Sequence, residues 1–270
     1  MEYHVPQASI VMISVCMALG IIVPLVLFFV LNRKKHASPR AFFVGWLAFL
    51  IAVNILERLF HALVFRSSVG AFIQGNLYLY ALYGGVAAGL FEELARYFCF
   101  SRILKKELSW DWNALMYGAG HGGSEMFNIF SITMANNLIY AASINSGSAE
   151  AVLGTLSGDM LVQMQTVFAQ LTATSPWLYL LSFAERLIAI AAQIALSVLV
   201  FYAVKNPARN RRLILIAVEL HALIDFLSVI AGALLTPVLA ELVILCVAAV
   251  VCWFAWTVWK QNHEVPESSN

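Results

Sequence analysis

The sequence predicts an all-α protein, a polytopic transmembrane helical bundle of about seven spans, with an amphipathic helix in a long loop on the outer side. Three observations predict it. Apolar residues make up 61% of the 270 residues and charged ones only 11%, and the mean hydropathy is +0.82, far from the balance of a soluble domain. The apolar residues gather in runs of about 20 or more, the length that crosses a hydrocarbon core. Strand-like alternation is missing, and in lipid a helix satisfies each backbone N–H and C=O within itself. The chain is therefore read as a single integral membrane domain, 1–270, whose first partner is the lipid bilayer. A net charge of +1 offers no footprint for nucleic acid.

The spans fall, in order, at 8–31, 41–65, 73–101, 111–136, 177–204, 212–232 and 236–259. The first is an anchor and not a cleavable signal, because Arg33, Lys34 and Lys35 follow its apolar run instead of preceding it. Basic residues set the orientation, since they concentrate on the cytoplasmic side. Arg33, Lys34, Lys35 and Arg40 follow span one; Arg102, Lys105 and Lys106 follow span three; Lys205, Arg209, Arg211 and Arg212 follow span five; Lys260 follows span seven. The opposite loops hold Arg66 alone. This predicts an integral membrane protein with its N-terminus outside and its C-terminus in the cytoplasm.

The outer loop, 137–176, has no basic residue, but Leu153, Leu156, Met160, Met164, Val167 and Leu171 recur at helical spacing. They predict an amphipathic helix resting on the membrane surface or on the bundle. Cys16, Cys99, Cys246 and Cys252 lie in or at the edges of spans without paired spacing, as inert thiols do.

Function is sought in ionisable residues inside spans, which are costly in hydrocarbon. Span two holds Glu57, Arg58 and His61; span three Glu92, Glu93 and Arg96; span four His121 and Glu125; span five Glu185 and Arg186; span six Glu219, His221 and Asp225. At about 1.5 Å per residue, Glu92, His121 and His221 each lie about 14–15 Å from the cytoplasmic end of their helix. Three helices thus bring them to one level. Glu57, Arg58, His61, Glu185 and Arg186 form a second, outer layer, read as interhelical ties or groups around a substrate. The pairs Glu92/Arg96, His121/Glu125 and His221/Asp225 each share a helix face, which must turn inward. The glycines around His121, in GAGHGGSE at 118–125, leave room for a neighbouring helix, a substrate backbone or water to come close.

Glu92-Glu93-x-x-Arg96, the glycine-rich segment with His121 and Glu125, and His221-Ala-Leu-Ile-Asp225 closely resemble the motifs of the bacterial YhfC-type intramembrane protease family. That family is similar to the CAAX prenyl endopeptidases and bacteriocin-processing proteases, whose motifs are a paired glutamate with a downstream arginine, a lone histidine and a His-x-x-x-Asn/Asp. Here Arg96 stands closer to the glutamates than in the prenyl endopeptidases, and Asp225 takes the place of their usual asparagine. The resemblance implies hydrolysis of a peptide bond in a membrane-associated peptide or protein, by a glutamic mechanism without metal. In that reading Glu92 is the base and His121 positions the water. Glu93 and Arg96 pair and offset charge, and His221 with Asp225 stabilises the oxyanion. Glu125 holds His121 or pairs with Arg58 or Arg186. Zinc stays open as a cofactor, because His121, Glu125, His221 and Asp225 are all suitable ligands. Two readings from other classes also stay open: a proton-coupled secondary transporter using both polar layers, and a haem held between His121 and His221.

Overall fold

A computed structural model describes residues 4–263. Its helices run in the order α1 (Gln7–Lys35), α2 (Pro39–Ile51), α3 (Arg58–Phe65), α4 (Ser68–Gln74), α5 (Leu77–Phe98), α6 (Trp112–Glu125), α7 (Ile132–Asn145), α8 (Ala149–Gly154), α9 (Gly158–Ala173), α10 (Pro176–Lys205), α11 (Pro207–Asn210), α12 (Leu213–Leu234) and α13 (Pro237–Asn262). No strand occurs among the described residues. Among the described residues, five helices are long and apolar enough to cross a membrane by length and composition, Gln7–Lys35, Pro39–Phe65, Pro176–Lys205, Leu213–Leu234 and Pro237–Asn262. The two remaining expected spans are helical as well. They carry the ionisable groups Glu92, Glu93 and Arg96, and His121 and Glu125, respectively.

Three helices contain a wide π turn, at Ala52–Glu57, Cys99–Ile103 and Met126–Ser131. Such a turn inserts extra residues into a helix and rotates the faces beyond it, and it is common at functional sites. The first joins α2 to α3 and ends at Glu57, which it leaves buried while Arg58 faces out. Nothing in the apolar periodicity announces these turns.

The chain divides into two compact units. One gathers the chain up to Val23 and Met126–Arg186. Its core packs Ile13 and Cys16 of α1 with Phe130, Met134, Phe168 and Leu171, and Asn145 closes it by exchanging two hydrogen bonds of 2.9 Å with the Val5 backbone. The amphipathic element of the outer loop belongs here, and it differs from expectation. Thr155–Ser157 breaks it into α8 and α9, so one helical period does not run through. Phe168 and Leu171 turn inward, while Met160 is 65% exposed.

The second unit comprises Pro24–Glu125 and the chain from Leu187. Its core runs from Phe42 and Phe100 through Tyr117 to Phe201 and Tyr202. Helices in lipid gain little by burying apolar surface against one another, so close approach at small residues decides their packing. A Cβ on Gly45 of α2 would collide with the Tyr117 carbonyl oxygen of α6, and one on Gly120 with the Phe42 carbonyl oxygen of α2. On α5, Gly85 meets the Ala222 carbonyl oxygen of α12, and a Cβ on Gly89 would sit 2.7 Å from the Val218 carbonyl oxygen. At the end of the unit where basic residues cluster, Asp111 binds Lys205 Nζ at 2.7 Å and His263 Nδ1 at 2.9 Å.

Candidate functional site

The glycine contacts place the polar groups. Because α5 lies backbone-to-backbone on α12, Glu92 and Glu93, one turn beyond Gly89, reach His221. Because α6 lies backbone-to-backbone on α2 and also approaches α10, His121 is carried toward Glu92. A Cβ on Gly118 would lie 2.6 Å from Ile194 Cα, and one on Gly122 would lie 3.1 Å from both Ile190 Cα and Gln193 Cβ. Gly123 faces Pro24, 2.8 Å from a Cβ placed there. Of the roles open to the glycines of GAGHGGSE, all four serve the approach of neighbouring segments. None of them opens room for water.

The centre is Glu92. Its Oε2 lies 2.8 Å from His121 Nε2 and accepts a 3.1 Å hydrogen bond from Gln193 Nε2. His221 Nε2 faces the same oxygen at 3.9 Å. The other carboxylate of the pair, Glu93, takes His221 Nδ1 on Oε1 at 2.7 Å and the Arg96 guanidinium on the same atom. Glu93, Arg96 and His121 are completely enclosed. Around His121, Phe49 packs edge-on at 5.4 Å between ring centroids and Tyr117 stacks at 6.1 Å. The imidazole is thereby held in one plane, with its edge on Glu92.

Gln193 is the residue that motif reasoning missed at this level. Its Oε1 accepts from Arg96 Nη2 at 2.5 Å, while its Nε2 donates both to Glu92 and, at 3.0 Å, to Glu125 Oε2. One amide thus ties three charged side chains together. The available signal was an isolated glutamine, with Glu185 two turns before it, in the apolar run of α10. The structure puts it in the inner layer, against Glu92 and Arg96.

The remaining expected residues fall as follows. Asp225 approaches His221 Nε2 at 3.6 Å and keeps 37% of its side chain exposed. Arg96 pairs with Glu93, three residues back, as expected. Glu57 accepts from or donates to His61 Nε2 at 3.1 Å, and His61 Nδ1 meets Tyr83 Oη at 2.7 Å. Glu57 is also within electrostatic reach of Glu92, Asp225 and His221, so it borders the central group more closely than a separate layer would. Arg58 is exposed on the helix surface. Glu185 and Arg186 belong to the other unit and hydrogen-bond to each other.

Chemically, this is an acidic cluster, with Glu57, Glu92 and Glu93 buried. Glu92, Glu93, Glu57, Glu125 and Asp225 stand against one permanent cation, Arg96, and two histidines. Uncompensated charge in such surroundings is costly, so protons on the imidazoles or a bound cation must make up the difference. The Nδ1–H of His221 is committed to Glu93, which leaves Nε2 directed at Glu92 and Asp225. A carboxylate behind an imidazole fixes its tautomer and orientation.

Two glutamates, two histidines and an arginine gathered between membrane helices are the kinds of group that acid–base or metal-assisted chemistry uses. The chain belongs to the YhfC intramembrane metalloprotease family, whose profile matches residues 18–245. It is 34% identical over 249 residues to a Bacillus subtilis (strain 168) relative described as an uncharacterized membrane protein, YhfC, covering 91% of this chain and 94% of the relative. No solved structure matches it.

The family description implies a metal. The donors fit one by type, because His121 Nε2, His221 Nε2 and Glu92 Oε2 supply two imidazoles and a carboxylate, the composition of catalytic zinc centres. Glu93 behind His221 is the outer partner such a ligand requires. Among the described residues, no three of these groups are yet drawn around one point as they would be around an ion.

Proposed function

We propose that the protein is an intramembrane endopeptidase that hydrolyses a peptide bond of a membrane-associated protein or peptide, with water activated at Glu92. The observation that carries this reading is the meeting of His121 Nε2 and His221 Nε2 at one oxygen of Glu92, inside a helix bundle. Glu92 Oε2 is occupied by His121 and Gln193, so Oε1 is the atom for the water. It takes the water's proton as the oxygen attacks the carbonyl carbon. His221, braced at Nδ1 by Glu93, donates from a protonated Nε2 to the developing oxyanion. When the C–N bond breaks, Glu92 returns its proton to the leaving amine. His121 and Gln193 hold the carboxylate in position throughout. Arg96 offsets the charge of Glu93 and keeps that brace ionised. The N-terminus is outside and the C-terminus cytoplasmic in this reading, supported by the basic residues flanking alternate spans.

A second reading is favoured by the donor set itself. His121, His221 and Glu92 would hold zinc, with Asp225 beside His221. When bound, the metal supplies Lewis-acid polarisation and a more acidic water. The peptide-bond chemistry and the bracing by Glu93 are shared by both readings.

The test is a comparison of membrane-protein termini between cells carrying the wild type and Glu92→Gln. Termini present with the wild type should vanish in the variant while the variant accumulates normally, since a group acting in the transition state contributes little to packing. An identical set of termini in both would refute the peptidase assignment. Metal analysis of the purified wild type separates the two mechanisms.

A further inference from the structure

Beside the candidate site, α2, its π turn, α3 and α5 enclose an apolar groove of about 1340 Å3, with α4 across one end. We propose that this groove docks a single transmembrane helix, that of the substrate, along its whole length. The proposal rests on the peptidase reading for the identity of the occupant, but not for its shape.

Length argues for a helix over a lipid. The lining on α5 runs from Leu79 to Phe98, about 28 Å at the helical rise, which matches a hydrocarbon core of about 30 Å. A lipid reaches across one leaflet only, whereas a spanning helix presents apolar side chains over the full distance. Width argues for partial seating. The volume divided by that length is a cross-section of roughly 48 Å2, about half of the roughly 80–110 Å2 of a helix with its side chains. The occupant would lie half in the protein and half against lipid, reaching its place sideways from the bilayer.

The walls suit close packing. Ala48 and Ala52, one turn apart, and Ala87 and Ala95 across from them form small-residue floors between bulky rims, where helix backbones approach each other. The groove also meets the site. Phe91 and Leu56 line it, and their immediate neighbours in the chain are Glu92 and the buried Glu57. A helix unwound at this level would present its carbonyls beside the carboxylates.

The probe is a host peptide of about 21 leucine and alanine residues, the length of one span, with lysines at both ends and a biotin. The full chain is reconstituted in phospholipid vesicles with a photoreactive benzophenone side chain at Leu90 or Val86 in the groove. Val250 and Trp253 on α13, also exposed apolar positions, serve as controls. Peptide cross-links at Leu90 and Val86 should saturate, be competed by unlabelled peptide, and fall at least fivefold when Leu94→Trp fills the groove; those at Val250 and Trp253 should rise linearly with peptide density. Equal, unsaturated cross-linking at all four positions would overturn the proposal, as would cross-links at Leu90 to phospholipid alone. Saturable binding of this host peptide upholds the groove whether or not the peptide is cut, and the comparison of termini between wild type and Glu92→Gln decides the peptidase reading separately.

Discussion

Gln193→Leu is the perturbation that tests the site's construction most directly. The side chain is 5% exposed and makes three hydrogen bonds, to Arg96, Glu92 and Glu125. Leucine keeps much of the volume, so cavity formation contributes little. What is lost is polar: Arg96 Nη2, the Glu92 oxygen and the Glu125 oxygen each forfeit a partner inside the bundle. Hydrogen bonds to charged groups in soluble proteins contribute about 1.5–3 kcal/mol each. Interhelical bonds inside membranes average about 0.6 kcal/mol and reach about 1.7. The membrane values are the relevant ones, and three bonds then give about 2–5 kcal/mol. Titration of the purified protein from a mild detergent into SDS, followed by circular dichroism, reads this as a lower midpoint with an unchanged slope. A loss below about 0.5 kcal/mol, the range of an unremarkable surface substitution, would refute the claim that one amide joins the three charges.

The packing argument predicts that Gly120→Ala, whose new methyl would overlap the Phe42 carbonyl oxygen, prevents accumulation in the membrane. Gly84→Ala, with nothing within 4 Å, should be silent on an immunoblot of membrane fractions. If zinc is held, purified His221→Ala and His121→Ala should each lose it, and Glu125→Ala should retain it, because Gln193 engages Glu125; elemental analysis of the three proteins decides. Glu92→Gln should abolish the new protein termini without reducing abundance, as measured by quantitative proteomics. Reporter fusions after Lys35, Lys106 and Arg212 should behave as cytoplasmic and one near Ser157 as external; an external signal after Lys106 would overturn the orientation.

Composition and periodicity were sufficient to read the helical membrane architecture, because lipid acts on each residue separately. A run of about 20 apolar residues is imposed by bilayer thickness, and a glutamate or histidine in such a run must face protein. The common level of Glu92, His121 and His221 was legible for the same reason, since helical rise converts sequence distance into depth. What remained illegible depended on how each helix is rotated about its axis. Spacing alone pairs His121 with Glu125, yet His121 meets Glu92; the Glu93–Arg96 pair is the one that forms as expected.

The sequence by itself determined the solvent, the spans and which residues have to be sheltered, all properties set by one chain segment and its surroundings. Only the tertiary structure decided the partners: the bridging role of Gln193, the brace of Glu93 on His221, the helix contacts of the four glycines, the break before α9 and the groove along α5. These follow from helix rotations set by glycine-to-carbonyl contacts between segments far apart in the chain and by the π turn at Ala52–Glu57. A π turn leaves the apolar composition unchanged while moving every later side chain to a new face, which is why no reading of the sequence pattern alone reaches it.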